Sequence, residues 1–298
     1  MSSRSDDPAQ KAFATPIDSA FEESLRDIGI PPRPAILDRI AAEMRGPDPD
    51  FNHLSALISA DVGLAAGLLR TANSAYFGHH ARARTVVQAL MILGLDIASR
   101  AVAGIILRKV FEGLPIMERF WDASARVART SGWLACQLGI REGVGADDAY
   151  SYGLFRDCGL PILMRRFPTY VSVLAEANAD AERMFTAVEQ TRYPTNHAIV
   201  GAMLAQNWWL PETMHTAIRH HHDVLALTAG AAGLSAASAR MIALSQFAEY
   251  LVERIAGRSR SREWDKLGRA CVQVLELDDA RIEYLASQAG PVVADLLS

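Results

Sequence analysis

Cysteine is scarce in this sequence, and the few present form no useful pattern. Cys136, Cys158 and Cys271 stand far apart among 298 residues. An odd, dispersed set builds neither a disulfide framework nor a CxxC site, so a reducing compartment is the default expectation. A positive excess is missing as well. The formal net charge is −4 and the sequence pI about 6.1, and nothing resembles the basic face of a nucleic-acid binder. Long apolar runs are also absent, with no stretch of about 18 uninterrupted apolar residues. The strongest candidate, Ala98 to Val110, is short and carries Arg100, Arg108 and Lys109. The opening MSSRSDDPAQKAFATP lacks the apolar h-region of a secretory signal. These absences predict a cytoplasmic protein, with neither membrane nor nucleic acid among its partners.

β-branched alternation is nearly missing too, whereas Ala, Leu, Arg and Glu abound. Apolar residues recur at three- and four-residue spacing, as in Ile36, Ile40 and Met44 or Leu54, Leu57 and Ile58. The fold class is therefore all-α, a two-part helical bundle. Asp61 is placed to cap the helix VGLAAGLLRTANSA, and Gly94 to end TVVQALMILG. Residues 1–17 read as a mobile arm, about 30–112 as a first sub-bundle and 113–223 as a second. Residues 224–235 read as an Ala/Gly/Ser loop, and 236–298 as closing helices.

The first sub-bundle contains IPPRPAILDRI, ANSAYFG and QALMILG. This combination resembles the HDOD domain family, and the resemblance extends over residues 18–223. It implies an all-α, phosphodiesterase-like fold related to the HD and HD-GYP metal-dependent phosphohydrolases. It also implies bacterial signal transduction, with receivers, histidine kinases, GGDEF or EAL proteins or other response regulators as partners. No receiver, GGDEF or EAL segment is seen, so an input domain is expected on a separate protein.

The HD pattern needs a first histidine, an adjacent His-Asp, further histidines and a late aspartate. By the resemblance these positions fall on Ala123, on Arg156-Asp157, on His197 and His221-His222, and on Gln246. A methyl group cannot coordinate, and arginine does not deprotonate to become a ligand. A guanidinium beside Asp157 would also repel a divalent cation. The expectation is a degenerate site with no catalytic residue, no bound metal and no cofactor, in a protein that acts by binding.

Two rivals remain open at this stage. One is a nucleotide or cyclic-di-GMP sensor, with Arg156, Arg165 and Arg166 as anion contacts and the Arg-rich run 254–269 assisting. The other is a remodelled phosphohydrolase holding a single metal on Asp157, His197 and His221. Against ligation by all of His220, His221 and His222, successive helical residues point about 100° apart. Two of them could face a cavity, leaving the third wet. Thr195 is the expected cap before His197, Asn73 should bond the backbone at a helix end, and Cys158 reads as packing. Trp208 and Trp209 should fill the bundle, one of them at a surface, and Tyr76 and Phe77 read as core.

Overall fold

Three- and four-residue apolar spacing becomes helix throughout, and no strand occurs among the described residues. The computed structural model describes residues 27–74, 82–112, 115–140, 143–228, 234–257 and 261–294. The arm 1–17, Tyr76, Phe77, loop residues 229–233 and residues 258–260 of the Arg-rich run lie outside them.

The first four helices are α1 (Ala35–Arg45), α2 (Phe51–Ser59), α3 (Val62–Ala72) and α4 (Val86–Val110). Their starts are held chemically. Asp50 accepts from the N–H groups of Asn52 and His53, and Asp61 from those of Gly63 and Leu64, as foreseen for Asp61. Gly94 breaks α4 at φ 70°, a backbone value that glycine adopts without a Cβ penalty. Helix α4 is long and apolar enough to cross a membrane by composition alone. Here the break divides it, and its buried Arg100 reaches Asp96 at 2.7 Å and Asp148 at 2.6 Å.

Asn73 closes the gap between α3 and α4. Its side chain donates to the Ala83 carbonyl at 2.8 Å and accepts from the Ala83 N–H at 2.7 Å. Asn73→Ala leaves both backbone groups unpaired in a half-buried place, which should cost about 1–3 kcal/mol. Urea unfolding measures this, and a change below about 0.5 kcal/mol, the scatter of ordinary surface substitutions, would contradict the clasp.

The larger part runs through α5 (Pro115–Gln137), α6 (Ala146–Phe155), α7 (Leu160–Arg166), α8 (Tyr170–Ala179), α9 (Phe185–Gln190) and α10 (His197–Asn207). It closes with α11 (Glu212–His220), α12 (Val224–Thr228), α13 (Ala236–Ala256), α14 (Glu263–Val274) and α15 (Asp279–Ala294). Helices α5 and α6 approach so closely that a Cβ on Gly153 would sit 2.7 Å from Ala128 Cα. Between them and α14 runs α13, whose Ile242, Leu244, Phe247 and Leu251 are fully buried. One apolar core is continuous from Leu37 in α1 to Leu285 in α15, so both parts share it. The chain before α1 is strapped onto the end of α10. Trp208 Nε1 donates to the Pro31 carbonyl at 3.2 Å, and the Arg33 guanidinium lies 3.4 Å above the Trp209 ring. Trp208 is buried and Trp209 partly exposed, the division expected of the pair.

Candidate metal centre

Four side chains from three places converge under this core. Asp157 sits in the tight turn between α6 and α7, just after the C-cap Arg156. His197 is the first residue of α10, whose cap is Asn196, accepting from the Ile199 N–H at 2.9 Å, and not Thr195 as expected. His221 and His222 follow the last residue of α11. The helix ends at His220, and the two imidazoles that follow it lie 4.1 Å apart between centroids and reach the same site. His220 is left partly exposed, 3.5 Å from Asp223.

The inward atoms are Asp157 Oδ1 and the Nε2 atoms of the three histidines. His197 Nε2 lies 3.2 Å from His221 Nε2, 3.1 Å from His222 Nε2 and 3.6 Å from Asp157 Oδ1. His221 Nε2 lies 3.2 Å from Asp157 Oδ1. One ligand atom from each residue falls within 4.8 Å of all the others. The imidazoles are all but sealed from water, and the Phe185 ring stacks on His222 with centroids 4.7 Å apart.

Each outward Nδ1 also has a fixed partner. His197 Nδ1 is 2.8 Å from Glu189 Oε2, His221 Nδ1 is 2.6 Å from the Ile218 carbonyl, and His222 Nδ1 is 2.5 Å from Glu263 Oε2. Glu189 is held in turn by Tyr170 and the His197 N–H, and Glu263 by Lys266. This outer arrangement fixes tautomer and ring orientation in metal-binding histidines. The donor set therefore fits a divalent cation of the kind that HD-type folds imply.

Burial pushes the His221 imidazole below its ordinary value, with Asp157 opposing. Burial, then the neighbouring His221, lowers His222 to about 3. For His197 burial also lowers, but Glu189 outweighs it and the net shift is upward. Burial would raise the carboxyl groups. Arg156 instead holds Asp157 well below the usual carboxylate range, and His222 with Lys266 holds Glu263 at about 2.

Arg156 does not enter the ring of donors, although the resemblance places it at a ligand position. Its Nε donates to the outer oxygen, Asp157 Oδ2, at 3.0 Å, although neighbouring helical residues seldom face each other. One terminal nitrogen reaches Glu249 at 2.9 Å and the other the Ser245 carbonyl at 3.4 Å, both on α13. Glu249 thus offsets the guanidinium charge that was expected to repel a cation from Asp157.

The remaining predicted positions scatter. Ala123 is exposed on α5, whereas Ser124, Val127 and Ala128 turn inward, so Ala123 is not the site of a lost ligand. A one-residue offset on a helix changes direction by about 100°. Gln246 is buried and donates to Glu249 at 3.2 Å, beside Arg156 and not among the histidines. Arg165 donates to the Gly29 carbonyl and lies on the Phe111 ring, and Arg166 lies near the Phe167 ring. The three arginines thus make separate contacts. In the Arg-rich run, Arg254 is paired with Glu283 and Arg262 with Asp265. Cys158 is buried with its thiol pushed up by desolvation, as packing requires.

Glu189, Glu249 and Glu263 were not singled out from the sequence. Glu263 lies inside the Arg-rich run, where an acidic residue reads as a surface neutraliser. Glu189 lies eight residues before its histidine, a weak local signal.

Comparison with known proteins agrees with the geometry of the fold. The sequence profile of the HDOD domain matches residues 30–224. A curated uncharacterised protein of Treponema pallidum (strain Nichols) is 29% identical over 203 residues, which are 65% of this chain and 38% of that protein. A Geobacter sulfurreducens HDOD domain protein of unknown function superposes with TM-score 0.64 at 21% identity, covering 93% of this chain and 94% of its own. A Shewanella amazonensis SB2B protein provisionally assigned as a phosphohydrolase gives 0.63 at 20% identity, covering 94% and 98%. A Marinobacter aquaeolei VT8 protein provisionally assigned to signal transduction gives 0.56 at 20% identity, covering 91% and 61%.

Proposed function

Because the chain belongs to the HDOD domain family, we propose that it is a regulatory protein that acts by binding and not by hydrolysis. The observation that carries this reading is the Arg156 contact. Hydrolysis across two ions needs a carboxylate that bridges them and a further ligand set for the second ion. Arg156 occupies Oδ2 of Asp157 and is anchored to Glu249, leaving Oδ1 alone for the histidine side.

The residues that would hold one ion are Asp157, His197, His221 and His222, and an ion there would supply Lewis acidity to whatever it touched. Phe185 and the outer carboxylates exclude water from the histidine side. The partners proposed are signalling proteins, receivers or kinases among them, docking on the helical body. Against the nucleotide-sensor reading, the buried Arg156 already bonds two carboxylates, while Arg254 and Arg262 form exposed pairs.

The test is turnover. Purified protein incubated separately with Mn²⁺, Fe²⁺, Mg²⁺ and Zn²⁺ should release no product above blank from phosphomonoesters, phosphodiesters or cyclic di-GMP. Metal-dependent hydrolysis that disappears in Asp157→Ala would overturn the reading.

A further inference from the structure

We infer that Asp157 Oδ1 and the Nε2 atoms of His197, His221 and His222 form a tetrahedral site for one zinc-class ion, which cross-links three segments of the fold. The inference stands independently of whether the protein hydrolyses anything, and three observations carry it.

The first is a proton count. The Ile218 carbonyl can only accept, so His221 Nδ1, 2.6 Å away, carries a proton. Glu189 and Glu263 likewise accept from Nδ1 of His197 and His222. A neutral imidazole bears one proton, so each Nε2 presents a bare lone pair to the others and to Asp157 Oδ1. Protonating His197 would place one hydrogen among neighbours at 3.1, 3.2 and 3.6 Å, satisfying one of them. The contact between His221 Nε2 and Asp157 Oδ1 at 3.2 Å would still hold no hydrogen. A cation at the centre satisfies all four donors at once.

The second is charge. Asp157, Glu189, Glu249 and Glu263 bring four negative charges to this cluster, Glu189 and Glu263 buried and Asp157 and Glu249 partly so, against the two positive charges of Arg156 and Lys266. With neutral imidazoles an excess of two remains, and uncompensated buried charge is expensive. A divalent ion matches that excess.

The third is size. Zinc bonds of about 2.0–2.1 Å in a tetrahedron separate ligand atoms by about 3.3–3.4 Å. Four of the six separations run from 3.1 to 3.6 Å, and all six lie within 4.8 Å, so a modest inward shift of His222 completes the set. Three imidazoles select zinc or a neighbouring transition ion over magnesium or calcium, which prefer oxygen. Four protein donors close the coordination, the mark of a structural site. The ion would pin the α6–α7 turn, the start of α10 and the end of α11 together.

The experiment measures metal content and thermal unfolding of the full chain. After stripping with chelator and desalting, added zinc should rebind at one equivalent per chain and raise Tm, whereas magnesium alone should not. Glu263→Gln removes the charge behind His222 while keeping its shape, and should weaken zinc 10- to 100-fold. His222→Ala should abolish stoichiometric binding; if it fails to fold, wild type and Glu263→Gln still decide. Failure to retain zinc, an equal response to magnesium, or unchanged affinity in Glu263→Gln overturns the inference. Zinc-dependent hydrolysis would instead overturn the binding-only function and leave this site standing.

Discussion

Arg156→Met is expected to destabilise the protein by about 3 kcal/mol, the lower end of the usual cost of breaking a buried pair from one side. The guanidinium is 7% exposed and bonds two carboxylates, those of Asp157 and Glu249. Removing it leaves both facing each other across the position it held. Their partial exposure, 21% and 23%, lets water relieve some of the cost, hence the lower end of the range. The companion result is more telling. Arg156→Met combined with Glu249→Met should recover most of the loss, because replacing both members of a buried pair by apolar side chains is often neutral or better. Chemical denaturation of the two single variants and the double variant closes the cycle. Additive losses would mean that the guanidinium serves something other than Glu249.

Gly159→Ala is expected to be as damaging for a different reason. Its φ of −77° is ordinary, so the backbone asks nothing special of glycine. The obstacle is contact: a Cβ there would lie 2.1 Å from the His197 carbonyl oxygen and 2.7 Å from the Gly201 nitrogen. Both are backbone atoms of α10 and cannot rotate away. Overpacking of this kind costs about 3 kcal/mol or more. Separating the turn from α10 also withdraws Asp157 from His197, so metal binding should fall with stability. Gly104→Ala provides the control. Its Cβ would meet Leu154 Cδ2 at 2.8 Å, the far end of a side chain that can turn. Thermal unfolding of the two variants should differ clearly, and similar small shifts would contradict the close approach at Gly159.

The sequence was informative where a local rule determines the outcome. Asp61 as a cap, the break at Gly94 and the backbone clasp of Asn73 each depend on residues within a dozen positions, and each is where the pattern put it. The helical class followed from spacing alone, and the HDOD resemblance named the positions of Asp157, His197 and His221-His222. Two of His220, His221 and His222 were expected to face a cavity with the third wet, and His221 and His222 do so while His220 stays partly exposed. The phase of α5 was beyond reach. Ala123 and the inward Ser124 differ by one residue, and only packing selects between them. The carboxylates behind the site were hidden by distance along the chain. Glu263 meets His222 across 41 residues, with no motif joining them. Charge compensation of Arg156 likewise comes from α13, where Glu249 looks like any solvated acid in a helix.

The centre is read here as one ion on four donors with Arg156 held aside by Glu249. Crystals grown with zinc and measured at its absorption edge test this most directly. A single anomalous peak per chain is expected, about 2.0–2.2 Å from Asp157 Oδ1 and the three Nε2 atoms, with the guanidinium still on Glu249. Two peaks sharing Asp157, or no peak and Arg156 turned in among the histidines, would contradict it.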